Sequence, residues 1–323
     1  MKKNIAIIAG GYSSEYGVSV RSAEGLYSFM DRERYDVYKV MVESEKWYVT
    51  LPGGTTAPID KNDFSFRQNG ATVHFDFAYI TIHGTPGEDG LLQGYLDMLR
   101  IPYSSCGVLA SALSFNKYKC NQYLKGMGIT VSDAVCLRRG QRADTDEIIA
   151  RLGLPVFVKP SDCGSSFGVT KVKEAAQLQP AIETAFREGN EIIIERFIPG
   201  TEVTCGCYKT RTKEVVLPLT EVVPANEFFD YGAKYNGESQ EITPARIPAG
   251  LTEEIQRKTS AVYDFIGAKG LIRVDYIITP EGAPFLLEVN TTPGMTATSF
   301  IPQQVRAAGL DIREVMTDII ENE

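Results

Sequence analysis

Several hallmarks of common protein classes are missing from this sequence. No run approaches the roughly 20 apolar residues of a membrane-spanning helix, so we expect no membrane partner. The opening MKKNIAIIAGG places two lysines before an apolar run, but that run is too short for a signal peptide. We therefore expect a cytoplasmic protein.

Cysteine pairs at metal-binding or redox spacing are also missing. The six cysteines are scattered over 323 residues, and no CxxC pair occurs among them. In a long chain this distribution favours reduced thiols in hydrophobic cores over disulfides. Cys205 and Cys207 would share one side of a strand, but no further ligands lie nearby, so we do not expect zinc.

Positive charge is in short supply. The formal net charge of -8 gives a nucleic-acid partner no general electrostatic support. ATP remains possible, because local lysines and a metal ion can hold its phosphates. The hydrophobic fraction of 43% and the charged fraction of 23% are those of an ordinary globular protein. The length predicts two or three domains.

The first third of the chain alternates strand and helix patterns. The apolar run Ile5–Ala9 ends in glycines, as a buried parallel strand does, and a helical pattern follows at Val18–Met30. Further strand patterns and a helical pattern at 88–99 predict a doubly wound α/β domain over residues 1–115. The polar, turn-rich segment Gly53–Gly70 is predicted to be a surface excursion.

From residue 116 the pattern changes. Helix and strand patterns predict a compact α+β domain over residues 116–194, and a strand-rich domain over 195–323. The polar segment 221–247 is long for a loop inside a compact domain, and such loops are often functional lids.

Two small loops at predicted strand ends carry candidate substrate ligands. Glu15 ends the run GGYSSE after the first strand, where open α/β sheets bind ligands, and its carboxylate would suit an ammonium group. A serine helix cap with a glutamate in the first turn is an equally good interpretation. His83 opens the loop HGTPGEDG, whose three glycines allow a ligand to approach. A lone histidine is more often structural.

A third loop suits phosphate. Lys159 ends an apolar strand, and the small, hydroxyl-rich run SDCGSS follows it at 161–166. Charge, hydroxyl and backbone donors together can hold phosphate, although this is not the GxxxxGK[ST] loop. Cys163 lacks an identifiable activating base, which favours a bystander thiol.

The strongest pattern lies on two strands near the C-terminal end. Arg273 and Asp275 alternate on one strand, and Glu288 and Asn290 alternate on the next, so each pair projects to one face. If the strands form a hairpin, the three oxygen-bearing side chains meet and suit Mg²⁺. Arg273 beside them could neutralise a transferring phosphoryl group. Solvated strand charges are the alternative, and they explain the run LLEVNTTPG poorly.

With these four sites in order, the chain resembles the ATP-grasp superfamily, and within it the D-alanine–D-alanine ligases. The motifs cover most of the chain: GGYSSEYGVSV (10–20), HGTPGEDGLLQGYLD (83–97), VKPSDCGSSFGVTKV (158–172) and RVDYIITPEGAPFLLEVNTTPGMTATS (273–299). The resemblance implies three domains with ATP between the second and third, two Mg²⁺ ions (Mn²⁺ as a substitute) and a homodimer. It implies that D-alanine is phosphorylated to an acyl phosphate, which a second D-alanine attacks.

The resemblance also implies a role for each matching residue. Glu15 would bind the first D-alanine, in a hydrogen-bonded link with Ser165 and Tyr235 that holds the lid shut, and His83 would lie close by. Arg273 and the Gly294 N–H would stabilise the oxyanion, and Ser299 would bind the second carboxylate. Asp275, Glu288 and Asn290 would hold the metal. The implied nucleotide ligands are Lys117, Lys159, Ser166, Glu195, Arg196, Phe197, Ile198, Glu202 and Lys234.

Three alternatives stay open. A D-lactate or D-serine acceptor would keep the same chemistry, although the tyrosine of the Ala-Lys-Tyr run, Tyr235, goes with dipeptide synthesis in this family. Another ATP-grasp ligase would act on a different carboxylate. A nucleotide-binding protein without catalysis would bind ATP only. The sequence departs from the family at Gly17 and at Asp162-Cys163, beside functional positions, and we expect these changes to tune the loops.

Overall fold

The computed structural model describes residues 2–162, 168–224 and 239–322. Its first region is built on the predicted buried strand, since residues 5–9 of β1 have no exposed surface, as in a strand covered on both faces. The elements of this region are β1 (Lys3–Gly10), α1 (Tyr16–Phe29), β2 (Tyr35–Val42), β3 (Trp47–Thr50), β4 (Thr56–Pro58), β5 (Phe66–Gln68), β6 (Ala71–Val73), β7 (Phe77–Ile80), α2 (Leu91–Leu99) and α3 (Val108–Phe115).

The first sheet has the strand order β4-β3-β2-β1-β7. β1 pairs in parallel with β2 and β7, while β3 and β4 extend the sheet antiparallel at one edge. The predicted parallel α/β arrangement is confirmed, with this antiparallel extension added. Because β1 and β7 are adjacent and parallel, the loops that follow them emerge side by side, where such sheets bind ligands.

The segment from Gly53 to Gly70 is exposed at most of its positions, as its polar composition predicts, but it also carries buried side chains. Phe64 is 0% exposed and Phe66 is 1% exposed, and Ala57 and Ile59 are also buried in the core beneath β1 and β7. The sequence analysis did not predict this burial because the apolar residues are few and spaced among turn residues. The turns face solvent while the isolated aromatic side chains reach inward.

The central region forms an antiparallel sheet with the order β10-β9-β11-β8. Its hydrophobic core is formed with two covering helices and is separate from the other cores. Asn116 and Asp144 cap the two N-terminal helices of this region by accepting backbone N–H groups. The elements are α4 (Lys117–Gly126), β8 (Ala134–Arg138), α5 (Thr145–Leu152), β9 (Val156–Pro160), β10 (Thr170–Val172), α6 (Leu178–Glu188) and β11 (Glu191–Arg196).

The last region is a second antiparallel sheet, ordered β15-β14-β12-β16-β17, with β13 paired to β12. The ends of the predicted lid segment are the paired strands β14 and β15, while 225–238 lie outside the described residues. The elements are β12 (Thr201–Lys209), β13 (Glu214–Val216), β14 (Thr220–Pro224), β15 (Ser239–Ile242), α7 (Ala249–Phe265), β16 (Leu271–Ile278), β17 (Pro284–Asn290), α8 (Phe300–Ala307) and α9 (Ile312–Asn322).

The hydrophobic cores join elements that are distant in sequence. The C-terminal helices α8 and α9 pack with β1, α1 and β7 in one core. α3 and α4 pack with the second antiparallel sheet in another. The boundaries 1–115, 116–194 and 195–323 remain predictions, and two of the cores draw residues from more than one of these ranges.

The predicted reduced thiols are present in the described part of the chain. The five cysteines of the described part of the chain are all free thiols: Cys106, Cys120, Cys136, Cys205 and Cys207. Among the described helices, none combines the length and apolar character that a membrane crossing requires.

Candidate active site

The β16–β17 hairpin brings the predicted charged side chains together. Arg273 lies opposite Asn290 and Asp275 lies opposite Glu288, with a register irregularity just after Asp275. The Arg273 guanidinium donates to both Asp275 carboxylate oxygens at 2.8 Å. The Thr204 hydroxyl on β12 donates to Asp275 Oδ1 at 2.6 Å. The predicted convergence is therefore confirmed as geometry.

Lys117, the first residue of α4, lies among three carboxylates. Its Nζ is 3.4 Å from Glu288 Oε2 on the hairpin. Burial alone would lower the pKa of Lys117, but the charges of Glu288, Glu88 and Glu15 outweigh it, and the pKa is raised. Lys117 is therefore held cationic where the N-terminal loops meet the hairpin.

A second buried ion pair lies on the central sheet. Lys159 Nζ is 2.6 Å from Glu195 Oε1, and both residues are buried. The strands β9 and β11 are antiparallel, with Glu195 opposite Phe157, so the pair bridges diagonally across one face. This ion pair joins the predicted phosphate lysine to the predicted adenine ligand.

The residues after Glu195 are fixed by backbone contacts. The Arg196 N–H donates to Asp133 O at 2.9 Å, and its Nε donates to Leu152 O at 2.9 Å. The Phe197 N–H donates to Pro155 O at 3.1 Å. These contacts hold the end of β11 against the residue before β8, the end of α5 and the loop before β9. The backbone N–H groups of Arg196 and Phe197 already have acceptors. A nucleotide base bound here would therefore contact other backbone atoms of this segment.

The last two predicted nucleotide ligands in the described part of the chain lie on the same stretch. Ile198 is half-buried just beyond β11, and Glu202 is half-buried on β12, opposite Ile277. The predicted ligands Ser166 and Lys234, and the predicted lid partners Ser165 and Tyr235, lie outside the described residues.

The loop after β1 packs directly against the loop after β7. Gly11 has a φ of +99°, and a Cβ there would come within 2.6 Å of the Ile82 side chain, so only glycine fits. Ser13 Oγ donates to His83 O at 2.8 Å and accepts the Glu15 N–H at 3.2 Å. The serine-cap interpretation was wrong, because Glu15 itself stands at the N-cap of α1, with no side-chain cap and no acidic residue in the first turn. The Glu15 carboxylate instead contributes to the electrostatic field at Lys117, and its role toward an ammonium group stays a prediction.

His83 is buried against α1. Its Nε2 lies 3.4 Å from Ser22 Oγ on α1. Burial, helped by the charge of Arg273, lowers the pKa of His83 to about 4. The imidazole is therefore neutral at pH 7, and its electrostatic contact with Arg273 links the first strand-end loop to the hairpin.

Glu88 belongs to this cluster although the sequence analysis gave it no role. Its Oε2 accepts the Gly84 N–H at 2.6 Å. Burial and the neighbouring charge of Glu15 raise its pKa, against the opposing effects of the Gly84 N–H and Lys117. Its place in the motif HGTPGEDG was the signal that could have identified it.

The turn after β17 is pressed against α1. The Met295 N–H donates to Ser22 Oγ at 3.5 Å, and a Cβ at Gly25 would lie 2.1 Å from Met295 O. Ser299 Oγ accepts the Thr296 N–H at 3.1 Å and would lie 3.1 Å from a Cβ at Gly294. Gly294 and Ser299 therefore share one compact turn. Ser22 and Gly25 carried no sequence signal, because their partners are some 270 residues away.

The hairpin side chains suit a magnesium ion that phosphate oxygens complete. In the parts of the chain that the structure describes, no group of three or more His, Cys, Asp or Glu side chains could hold a metal by itself. Asp275 and Glu288 are cross-strand neighbours with Asn290 beside them. One or two carboxylates and an amide form an incomplete oxygen set, which is how Mg²⁺ is bound together with nucleotide phosphates.

The buried Lys159 on the central antiparallel sheet, and the carboxylate-bearing hairpin of the second antiparallel sheet beside Lys117, are the arrangement of an ATP-grasp ligase. Family models match at both ends of the chain, "D-ala D-ala ligase N-terminus" over residues 4–106 and "D-ala D-ala ligase C-terminus" over 123–321. The chain belongs to the D-alanine–D-alanine ligase family.

Individual relatives agree over the full length. A "D-alanine--D-alanine ligase" of Parabacteroides distasonis is 67% identical, with 100% of this chain and 98% of that protein covered. One of Phocaeicola vulgatus is 66% identical, covering 100% and 99%. Among solved structures, the VanG D-Ala:D-Ser ligase of Enterococcus faecalis has a TM-score of 0.89 at 32% identity, covering 99% of both chains. A Bacillus anthracis D-alanine–D-alanine ligase complexed with ATP has a TM-score of 0.79 at 29% identity, covering 99% and 97%.

Proposed function

We propose that this ATP-dependent ligase joins two D-alanine molecules to D-alanyl-D-alanine, releasing ADP and phosphate, for peptidoglycan precursor synthesis. The family membership and the full-length identity of 67% to a protein of that name support the reaction. One juxtaposition in the structure supports it further. The charges of Glu15 and Glu88, on the proposed amino-acid side, and of Glu288, on the proposed phosphate side, all stabilise the cationic form of Lys117. Lys117 therefore lies between the proposed amino-acid and phosphate sites.

The nucleotide is proposed to bind between the central sheet and the second antiparallel sheet. Lys117 and Lys159 would exchange their carboxylate partners for ATP phosphates, with Ser166 and Lys234 as further ligands. Glu195, released from Lys159, would accept the adenine amino group, and Glu202 would hold the ribose hydroxyls. The backbone of Arg196, Phe197 and Ile198 would line the base.

Asp275, Glu288 and Asn290 are proposed to hold two Mg²⁺ ions, and Mn²⁺ can use the same oxygen ligands. When bound, the metal supplies neutralising charge to the phosphates that a carboxylate must approach. The Thr204 hydroxyl keeps Asp275 oriented through its 2.6 Å bond.

The first D-alanine is proposed to bind between the two strand-end loops. The Glu15 carboxylate would hold its ammonium group, linked to Ser165 and Tyr235, and neutral His83 would lie beside it. The substrate carboxylate would then attack the γ-phosphate, and the product of this step is an acyl phosphate. Because water would hydrolyse that intermediate, closure over the site by the segment 221–247 is the proposed safeguard.

The second D-alanine is proposed to bind at the turn after β17. The Ser299 hydroxyl would hold its carboxylate, and its amine would attack the acyl phosphate. Arg273 and the Gly294 N–H would stabilise the oxyanion of the tetrahedral intermediate, from which phosphate leaves.

We infer that two copies of the chain form a homodimer through α2 and α3. These helices touch each other and expose Leu91, Met98 and Leu109, which are 65%, 79% and 78% exposed, and such apolar patches mark interfaces. Met98→Lys combined with Leu109→Lys should halve the mass measured by sedimentation. An unchanged mass would place the interface elsewhere. We also propose a cytoplasmic location, because the reaction uses ATP as its energy source.

The reaction is tested by D-alanine-dependent phosphate release with ATP and Mg²⁺, followed by the product mass. We expect one dipeptide for each phosphate. D-serine deserves a parallel arm, because VanG shares this fold closely, and D-lactate is the third acceptor. If D-alanine is supplied together with D-lactate or D-serine and only D-alanyl-D-lactate or D-alanyl-D-serine forms, the proposed acceptor is refuted. ATP binding without phosphate release would refute the enzyme assignment.

A further inference from the structure

A carboxylate outside the predicted site lies close to the acceptor turn. Glu241 is half-buried on β15, where it lies opposite Val222 of β14. Burial raises its pKa, and a hydrogen bond from Gln303 and the charge of Arg273 oppose that rise. The Glu241 side chain therefore faces both α8 and the proposed oxyanion arginine.

Gln303 connects Glu241 to the acceptor turn. Its Nε2 donates to Glu241 Oε2 at 2.5 Å and to Thr298 O at 2.7 Å. Its backbone N–H donates to Ser299 O at 3.2 Å. One amide group thus uses both of its N–H donors to join β15 to the residue before Ser299.

The next residue on α8 makes the anchor rigid. Gln304 is fully buried and donates to Thr204 O at 3.0 Å and to Thr220 Oγ1 at 3.1 Å, while its Oε1 accepts the Gly206 N–H at 2.9 Å. All these partners lie on the second antiparallel sheet. Gln304 already fixes the position of α8 on the sheet. The hydrogen bond between Gln303 and Glu241 therefore determines the position of the acceptor turn, not the position of the helix.

We propose that Glu241 is a positioning residue for the second D-alanine, acting through the Gln303 amide to hold Thr298 and Ser299 where the acceptor carboxylate binds. This inference rests on the proposed function. The acceptor of Gln303 need only be an oxygen at that position, so an amide should serve as well as a carboxylate. A side chain without an oxygen leaves the Gln303 amide free to turn and the Thr298 carbonyl without its donor.

The experiment measures the Michaelis constants for ATP and for D-alanine at the first and second sites, together with kcat. Glu241→Ala should raise the second D-alanine KM about fivefold, the effect of one lost hydrogen bond. The ATP constant and the first D-alanine constant should stay within about twofold. Glu241→Gln should restore the second KM, because its amide oxygen can accept from Gln303. Gln240→Ala, an exposed neighbour, is the matched control.

A second variant separates positioning from folding damage. Gln303→Ala also removes the hydrogen bond to Thr298 O, so it should raise the second D-alanine KM at least as much as Glu241→Ala. The double variant should be no worse than Gln303→Ala, since Glu241 acts only through Gln303. Equal rises in all three constants, additive effects, an unchanged second KM or a failure of Glu241→Gln to rescue would each overturn the positioning role. An inactive wild-type protein would overturn the proposed function instead.

Discussion

The phosphate side and the amino-acid side of this site handle buried charge in opposite ways. On the phosphate side, charges are kept and paired. Arg273 contacts Asp275 at 2.8 Å, Lys159 contacts Glu195 at 2.6 Å, and Lys117 lies 3.4 Å from Glu288. Each pair combines a proposed phosphate or oxyanion ligand with a proposed metal or adenine ligand.

On the amino-acid side, burial disfavours the charged forms of His83 and Glu88. The pKa of His83 is lowered to about 4 and the pKa of Glu88 is raised, so both groups shift toward their neutral forms. Paired charges can exchange partners when a polyanion and a metal arrive, at little net electrostatic cost. Groups neutralised by burial respond to pH instead. The following variants separate these two behaviours.

The largest effect is expected at Arg273. Arg273→Ala removes the proposed oxyanion donor, and turnover should fall by about a thousandfold or more. ATP binding, measured by calorimetry, should be largely intact because Lys117 and Lys159 remain. Arg257→Ala, on an exposed arginine of α7, should leave turnover unchanged. Near-normal turnover of Arg273→Ala would remove the oxyanion role.

Lys159→Met should cause the largest loss of stability. It leaves Glu195 buried without its cation, and breaking such a pair costs about 3–5 kcal/mol. Urea denaturation measures this, and Lys159→Met with Glu195→Gln should recover part of the loss. Lys125→Met breaks an exposed pair with Asp133 and should cost less than about 1 kcal/mol. Equal losses for the two lysines would contradict the buried pairing.

On the amino-acid side, burial of His83 should make the free energy of unfolding depend on pH. Its folded pKa lies below the unfolded value of 6.5, so the unfolded state binds the proton first as pH falls. Stability is then fully present above pH 6.5 and is lost as pH falls toward 4, by about 3 kcal/mol in all.

His83→Gln should remove that part of the pH dependence, measured by denaturation between pH 7 and 4. His74→Gln, at an exposed histidine, should follow the wild-type curve. If the two variants show the same pH dependence, His83 is not held neutral by burial.

The smallest loss of stability is expected where α1, on the amino-acid side, contacts the turn after β17. Gly25→Ala puts a methyl group 2.1 Å from the Met295 carbonyl, and α1 or the turn must shift, at about 1–3 kcal/mol. Gly17→Ala, in the same helix, meets only the Arg21 side chain at 3.6 Å and should be neutral or slightly stabilising. Thermal unfolding of both variants tests this. A neutral Gly25→Ala would mean that the turn yields freely.

The part of the site that the sequence predicted is the part governed by short-range periodicity. Alternation on two strands fixes which side chains share a face, so the sequence predicted that Arg273, Asp275, Glu288 and Asn290 meet across the hairpin, while their roles remain predictions. Glu15 and His83 were found because they follow strands. Their roles, like the proposed domain boundaries, remain predictions.

The remainder depended on contacts that no local pattern encodes. Ser22 and Gly25 meet the turn at Met295, and Glu241 reaches Gln303 across some 60 residues. The helix α7 was missed because its buried face includes Thr259 beside Ile255 and Val262, which weakens the apolar stripe. The burial of Phe64 and Phe66 followed from tertiary packing against a sheet formed elsewhere in the chain.

The core that joins β1 and α1 to α8 and α9 has a consequence for synthesis on the ribosome. Residues 3–29 leave the ribosome long before residues 301–320, yet one side of their sheet is completed by Ile301, Val305, Val315 and Ile319. Until α8 and α9 emerge, that apolar surface has no cover, and such surfaces promote aggregation. The sheet around β1 therefore completes its core only after α8 and α9 have been made.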